Sequence, residues 1–138
     1  MTIQEIQEEI IDEFEMFDDW MQKYDYLIEL SKDVPHIGDA NKLDENLIKG
    51  CQSKVWLYAT KENDTVRFTA DSDAIITKGI VALLVRVFDG QKCEDILGNE
   101  LHFINAIGLK EHLSMTRSNG LVSMIKQMKF YALAFQAK

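Results

Sequence analysis

Residues 54–70 have the sequence KVWLYATKENDTVRFTA, and this stretch decides the fold class. Apolar side chains recur in it at every second position and are Val55, Leu57, Ala59, Val66, Phe68 and Ala70. A period of two is typical of a strand that is buried on one face. Between the two runs, residues 62–64 are polar and supply a turn. The sequence therefore predicts strands over residues 54–61 and 65–70 that pair as an antiparallel hairpin.

Two amphipathic helices are predicted upstream of the hairpin. Thr2 and Glu5 match a capping box, in which the two side chains each satisfy an amide at a helix start. A second helix is predicted from Trp20 to Ser31, and Pro35 ends it because proline lacks the amide that a helix interior needs. The apolar stripe of the first helix has helical spacing and comprises Ile3, Ile6, Ile10, Phe14 and Phe17.

A long helix is predicted directly after the hairpin. Residues 74–88 are almost wholly apolar, and although their β-branched side chains suit a strand, the run is too long for one. The side chains of Asp71, Ser72 and Asp73 can cap its start, and Asp89-Gly90 closes it. Residues 36–50, by contrast, are polar and irregular, which predicts a loop.

Helices also make up the C-terminal part of the prediction. Short helical turns are expected over residues 94–97 and 101–107, and a last helix after Thr116 or Ser118. This order predicts an α+β fold with one domain over residues 1–138, in which N- and C-terminal helices pack on one face of a small antiparallel sheet. The apolar face of the last helix comprises Leu121, Met124, Ile125, Met128, Ala132 and Phe135. Met124 and Met128 are expected to be core side chains.

The composition is that of an acidic globular protein. The 138 residues carry a formal net charge of -8 and are 46% hydrophobic, which is enough for a real core. An acidic chain repels nucleic acid and anionic membranes, so neither is expected as a partner. The composition leaves a local basic patch open, although none stands out in the sequence. The longest apolar stretch, Ile80 to Val85, is far shorter than the roughly 20 residues that cross a bilayer. Two cysteines without a Cys-x-x-Cys pair, and an N-terminus without signal-peptide features, predict a reducing, cytoplasmic location.

Most catalytic and metal-binding motifs are absent from the sequence. It contains no G-x-S-x-G elbow, no H-E-x-x-H pair, no phosphate-binding loop and no dinucleotide fingerprint. The carboxylates that lie off the apolar stripe of the first helix indicate a solvated face. No resident metal or cofactor is therefore predicted. The candidate zinc ligands lack the spacing of a paired-ligand motif and are Cys51, Cys93, His36, His102 and His112.

Cys51 stands where a reactive thiol would be placed. Gly50 before it allows a tight turn with the thiol at its tip, between the polar loop and the first strand. Lys49 and Lys54 are expected to favour the thiolate, the nucleophilic form of a group whose ordinary pKa is about 8.5. A lone cysteine can also serve as a small buried hydrophobe, and the residues by themselves leave both alternatives open.

Several ordered segments resemble the SufE family, the sulfur acceptors that work with cysteine desulfurases in iron-sulfur cluster assembly. Residues 48–57, IKGCQSKVWL, resemble the segment that holds the family's active cysteine, followed by its strand. Residues 20–30 and then Pro35 are similar to its N-terminal helix and turn. The resemblance covers nearly the whole chain. Its downstream matches are residues 71–74, 78–79, 108–109, 112–113 and 116–121.

The resemblance implies a SufE/IscU-like fold and a persulfide relay centred on Cys51. A SufS-type cysteine desulfurase, which uses pyridoxal phosphate, would hold sulfur from free cysteine as a persulfide. Cys51 would accept that sulfur, stimulate the desulfurase and deliver the sulfur to a SufB-containing cluster scaffold. Thiolate attack on sulfur follows the rules of thiol exchange, so the basicity and access of the thiol control the rate. The family is expected to shelter its cysteine loop against an apolar pocket, with Gly50 as a hinge.

Other features of the resemblance stay open. Cys93 matches no cysteine of the family pattern and is assigned no chemical role, and Arg117 matches an arginine that serves either packing or partner contact. A CsdA-type desulfurase is an equal candidate for the partner, and a monomer and a weak homodimer are both compatible with the sequence. The expected role is a persulfide carrier and activator rather than a stand-alone enzyme. The alternative is a non-catalytic interaction module or an IscU-like scaffold, although a scaffold needs several cysteines.

Overall fold

Six α-helices and three strands form in residues 1–51 and 53–137, which are the residues that the computed structural model describes. In chain order they are α1 (Ile3–Glu15), α2 (Trp20–Leu30), β1 (Val55–Glu62), β2 (Thr65–Ser72), α3 (Ile75–Phe88), β3 (Gln91–Lys92), α4 (Cys93–Gly98), α5 (Phe103–Ala106) and α6 (Met115–Gln136). Short 3-10 turns occupy Ser31–Asp33, Asp44–Asn46 and Lys110–His112. The sheet is antiparallel with the order β1-β2-β3, which confirms the predicted α+β class.

The predicted hairpin is confirmed and sets one apolar face of the sheet. Leu57 lies opposite Ala70 and Ala59 opposite Phe68, and all four side chains are buried. The turn uses Asn63 at a φ of 57°, a left-handed conformation that asparagine tolerates. The strand β2 continues past the predicted end to Ser72. The two-residue β3 was not predicted, because so short a strand cannot display an alternating pattern.

Helices cover the apolar face of this sheet. The helix α3 packs on β2, α6 packs on β1, and α1 and α2 pack against α3. The buried side chains form one cluster with members from all six helices and from β1 and β2. In the described residues, no helix is long and apolar enough to cross a membrane.

The first two helices begin at side-chain caps. Thr2 and Glu5 form the predicted capping box, with 3.1 Å from the Glu5 amide N to the Thr2 Oγ1. Asp19 caps α2 by accepting a hydrogen bond from the Gln22 amide. The helix α1 ends at Glu15, so the prediction that Phe17 continues its stripe is wrong; the Phe17 ring instead packs on Tyr26 at 5.1 Å between centroids.

One carboxylate of α1 departs from the predicted solvated face. Glu13 accepts hydrogen bonds from the Arg86 guanidinium of α3 and from the Tyr26 hydroxyl of α2. The hydrogen bond from Arg86 is the largest influence on the Glu13 carboxyl, and it lowers its pKa below the usual range. Burial and the Glu13 contact raise the pKa of Tyr26 to about 12. This cluster ties α1, α2 and α3 together at one edge of the core.

The capping residues predicted for two helices are wrong. The N-cap of α3 is Ala74 rather than one of the three polar residues before it, because Asp71 and Asp73 bind other groups and Ser72 ends β2. The helix α6 begins at Met115, before Thr116 and Ser118, with the Ser114 Oγ 3.2 Å from the Arg117 amide N. The sequence offers several hydroxyl groups close together here, and only the backbone path selects one as the cap.

Gly79 of α3 packs directly against the backbone of α2. A Cβ built on Gly79 would lie 2.1 Å from the carbonyl O of Leu27 and 2.7 Å from its carbonyl C. Leu27 is fully buried, so its backbone has no free space to move into. Only glycine therefore allows the observed packing of α2 on α3.

We expect Gly79→Ala to lower the free energy of unfolding by about 2 kcal/mol, because the clash with Leu27 outweighs the better helix propensity of alanine. Gly98→Ala is the matched control, since a Cβ at Gly98 would have no atom within 4 Å. Urea unfolding of both variants measures the difference. Equal midpoints for the two alanine variants would contradict the proposed close packing.

Candidate functional site

The segment that carries Cys51 is held in a tight turn beside the start of β1. The Ile48 amide N lies 2.8 Å from the Val55 carbonyl O, so the chain folds back on itself between these residues. Gly50 has a φ of 87°, which is the left-handed region that favours glycine. The turn predicted at Gly50 is thereby confirmed, with Cys51 directly after it.

A second pair of hydrogen bonds fixes the other end of this segment. The Lys54 amide donates to the Asp73 Oδ1 at 3.0 Å, and the Asp73 amide donates to the Lys54 carbonyl O at 3.2 Å. Asp73 therefore links the cysteine segment to the connection between β2 and α3. Between the two anchors, Cys51 and Ser53 border a cavity.

The Cys51 thiol packs against a glycine of α6. A Cβ placed on Gly120 would lie 2.9 Å from the Cys51 Sγ and 3.4 Å from its Cα. Cys51 and Gly120 border a cavity of about 40 Å³ between β1, α3 and α6. The apolar side chains that line it are Val55, Ile80, Val81, Leu84, Leu121 and Met124.

Burial controls the protonation of this thiol. Cys51 is half-buried, and the loss of hydration raises the pKa of its thiol above the ordinary value. The prediction that Lys49 and Lys54 favour the thiolate is wrong for this conformation. Both lysines are exposed to water, which screens their charge, whereas the Sγ lies against an apolar wall. This shift favours the protonated thiol, which is less nucleophilic than the thiolate.

An ion-pair cluster secures the loop that leads to the cysteine segment. The Asp71 carboxylate of β2 lies 2.8 Å from the Lys42 Nζ of the loop and 3.1 Å from the Lys78 Nζ of α3. Burial raises the pKa of Asp71, but the hydrogen bonds from both lysines outweigh that effect and lower the pKa to about 2. The Lys42 Nζ also lies 4.6 Å from the centroid of the Trp56 ring. Asp71 thus acts as a fixed anchor for the loop, rather than as the helix cap predicted from the sequence.

The remaining candidate residues lie elsewhere. Cys93 is buried as the first residue of α4 and is not among the residues that border the cavity. His112 stacks on Trp20 at 4.0 Å, and His36 pairs with Ala70 through its backbone. In the described part of the chain, no three His, Cys, Asp or Glu side chains come together in a group that could hold a metal ion.

Sequence reasoning missed Gly120 as part of the site. The available signal was a glycine inside a predicted helix, which costs about 1 kcal/mol relative to alanine and therefore often has a packing reason. Arg117, one turn earlier, borders the same cavity with an exposed side chain. The structure thus brings Cys51, Arg117 and Gly120 together from separate parts of the sequence.

These features define a class of small α+β proteins that carry one sheltered thiol at a glycine turn. Residues 8–132 match the SufE family, described as a Fe-S metabolism associated domain. The chain belongs to the SufE family, which gives it a role in iron-sulfur metabolism.

Relatives of this chain carry the same family description. An uncharacterized SufE-like protein of Rhizobium meliloti is 40% identical over 127 residues, which cover 88% of this chain and 91% of that protein. An uncharacterized SufE-like protein of Rhizobium etli is 39% identical over 127 residues, which cover 88% of this chain and 86% of that protein. SufE-like protein 1, chloroplastic/mitochondrial, of Arabidopsis thaliana is 36% identical over 95% of this chain, a match that spans 36% of the longer plant protein.

A solved structure shows the same fold. It is the solution structure of a hypothetical protein from Thermus thermophilus, with a TM-score of 0.80 over 96% of this chain and 97% of that one. The sequences are 19% identical, so this likeness concerns the fold alone.

We expect the alkylation of Cys51 by iodoacetamide to reach half its maximal rate at a pH above about 8.5, the ordinary pKa of a free thiol. Burial disfavours the thiolate, so the reactive fraction at neutral pH is small. A timed alkylation series in a Cys93→Ser background measures this profile. A midpoint below that of a short cysteine peptide would instead show that the neighbouring lysines dominate.

We expect Gly120→Ala to raise the rate of Cys51 alkylation by roughly tenfold, because the added methyl group destabilises the buried position of the thiol by more than about 1 kcal/mol. Asn119→Ala is the matched control, as its exposed side chain lies in the same turn of α6. Peptide mapping by mass spectrometry measures both rates. An unchanged rate in Gly120→Ala, with the melting temperature preserved, would show that this contact does not restrain the thiol.

Proposed function

We propose that this protein accepts persulfide sulfur on Cys51 from a pyridoxal-phosphate cysteine desulfurase, stimulates that enzyme and passes the sulfur on for iron-sulfur cluster assembly. The observation that carries the proposal is the placement of the Cys51 thiol, at a glycine turn on the surface and next to an apolar cavity. Membership of a family associated with Fe-S metabolism supports the same conclusion.

The transfer is a thiol exchange in which no electrons are gained or lost overall. The Cys51 thiolate attacks the terminal sulfur of the persulfide on the desulfurase cysteine. A bond forms between the Cys51 Sγ and that sulfur, and the sulfur–sulfur bond of the donor breaks. The donor cysteine leaves as a thiolate, and Cys51 becomes a persulfide. Attack requires both a thiolate and access to the donor, and the buried conformation provides neither in full.

The reaction therefore requires the cysteine segment to leave the cavity. Movement of Cys51 out of the cavity restores the hydration of the thiolate and places it near Lys49 and Lys54. Gly50 is the natural hinge, because its backbone can adopt conformations that other residues avoid. The hydrogen bonds of Ile48 with Val55 and of Lys54 with Asp73 limit the movement to the few residues between them.

The same cavity is suited to protect the product. A persulfide adds one sulfur atom beyond the Sγ, and a cavity of about 40 Å³ exceeds the roughly 10–15 Å³ that one water-sized group needs. The mostly apolar walls limit the access of water and charged reductants to that atom. The buried conformation would therefore carry the sulfur between partners without its loss to solvent thiols.

The donor is proposed to be a desulfurase of the SufS or CsdA type, and the acceptor a SufB-containing cluster scaffold. In this scheme the protein is a sulfur carrier and activator rather than a stand-alone enzyme. The Cys51 thiol is its chemical group, and neither a bound cofactor nor a metal takes part. Both cysteines are free thiols, which suits the reducing, cytoplasmic location predicted from the sequence.

We expect Cys51→Ser to abolish sulfur loading and Cys93→Ser to preserve it. Each variant is incubated with a cysteine desulfurase and free cysteine without reductant, and its intact mass is measured. A gain of one or more sulfur atoms, mapped to the peptide of Cys51 and reversed by reductant, is the expected result for the wild type. Loading that survives Cys51→Ser, or that is lost in Cys93→Ser, would overturn the assignment of Cys51. An unmodified Cys51 with unchanged desulfurase turnover would favour a non-catalytic interaction module.

A further inference from the structure

The charge around Cys51 has the opposite sign to that of the whole chain. The formal net charge is -8, yet ion pairs engage many of the cations far from the site. The cations that form ion pairs in the described residues are Lys32, Lys42, Arg67, Lys78, Arg86, Lys92 and Lys129.

Four exposed cations lie around the cysteine segment and belong to no ion pair within residues 1–51 and 53–137. Lys49 and Lys54 flank Cys51 along the chain, and Arg117 borders its cavity. Lys126 of α6 shares a groove with Lys49. No basic patch stands out in the sequence, because the fold brings these four cations together from distant positions.

Few carboxylates oppose this group. Glu45 lines the groove, and Asp73 lies beside Lys54 with its Oδ1 engaged by the Lys54 amide. Asp71 is already shared between two lysines. The four cations thus exceed the carboxylates that border the site. At physiological ionic strength the Debye length is about 8 Å, so a partner at this surface experiences these local charges rather than the distant acidic helices.

The groove next to the thiol also offers apolar contact. It has a volume of about 460 Å³ between the loop at residues 45–49 and α6. Phe130 lies in it with 61% of its surface exposed, an unusual exposure for a phenylalanine. An exposed aromatic side chain with a charged rim is a common composition of protein interfaces.

We propose that this groove and its cations form a docking surface for a protein partner whose sulfur-delivering loop is rimmed by aspartate and glutamate. The inference rests on the proposed function, because it concerns the partner that delivers sulfur to Cys51. It assigns a negative charge to the surface of that partner. Phe130 supplies the apolar contact, and Lys49, Lys54, Arg117 and Lys126 orient the acidic rim. Complementary charge at the rim aligns the two sulfur atoms and excludes partners with a basic surface.

The test compares charge reversals at the surface with one outside it. Lys49→Glu and Lys126→Glu lie on separate elements, so at least one is expected to fold normally. Lys61→Glu is the matched control: it makes the same change in net charge, but lies near the other end of β1, about 20 Å along the strand from Val55. The apparent affinity of each variant for the cysteine desulfurase encoded by the same genome is measured at physiological salt.

We expect Lys49→Glu and Lys126→Glu each to weaken the apparent affinity by roughly five- to tenfold, and Lys61→Glu to leave it within about twofold. An equal loss of affinity in all three variants would show that net charge alone explains the effect, and it would overturn the proposal. Unchanged affinity at Lys49 and Lys126 would overturn it as well. Binding of single-stranded RNA through these lysines, with an unchanged affinity for the desulfurase, would also overturn the proposal.

Sulfur loading of Cys51 at saturating desulfurase separates this inference from the proposed function. If the wild type is loaded with sulfur and both variants keep the wild-type affinity for the desulfurase, only the docking surface is refuted. No loading of the wild type refutes the proposed function and, with it, the docking surface. A second measurement uses no partner: Cys51 should react faster with the anionic disulfide 3,3′-dithiodipropionate than with the cationic cystamine, and Lys49→Glu should reduce that preference.

Discussion

The close contact between Gly79 of α3 and the Leu27 carbonyl of α2 is the constraint on which the rest of the structure depends. Because of this contact, α2 covers one side of α3. The strand β2 covers another side of α3. Most of α3 is buried in consequence. The same helix contributes Ile80 and Leu84 to the cavity beside Cys51, so the shape of the functional site follows from a backbone contact made elsewhere in the core.

The proposed sulfur transfer places two opposing requirements on the Cys51 site. A nucleophilic thiol needs hydration or positive charge to ionise, whereas a persulfide needs protection from water and other thiols. Burial of Cys51 against Gly120 satisfies the second requirement and raises the pKa of the thiol at the expense of the first. A short segment with anchored ends can satisfy both in turn. Asp71 and Asp73 hold the surrounding loops, so the proposed movement would be confined to the cysteine segment.

The net charge of the chain and the local charge around Cys51 lead to different conclusions about the charge of a partner surface. The helix α1 alone carries six of the 23 acidic residues, and two of these, Glu9 and Glu13, are paired with Arg86. The cations around Cys51 have no such partners among the described residues. Composition therefore indicates only solubility and general repulsion of polyanions, while the surface that meets a partner is defined by residues that the fold selects.

Local patterns in the sequence determined most of the secondary structure, and the resemblance to the SufE family singled out the candidate nucleophile. The alternation in residues 54–70, the Thr2–Glu5 capping box and the turn at Gly50 each depend on near neighbours, so they could be read directly. Only the tertiary structure decided which hydroxyl caps α6, where Asp71 binds and that Gly120 accommodates the Cys51 thiol. It also decided that burial rather than the adjacent lysines sets the pKa of that thiol. These properties arise from contacts between residues far apart in the chain, and their energies depend on distances and solvent exposure that no local pattern specifies.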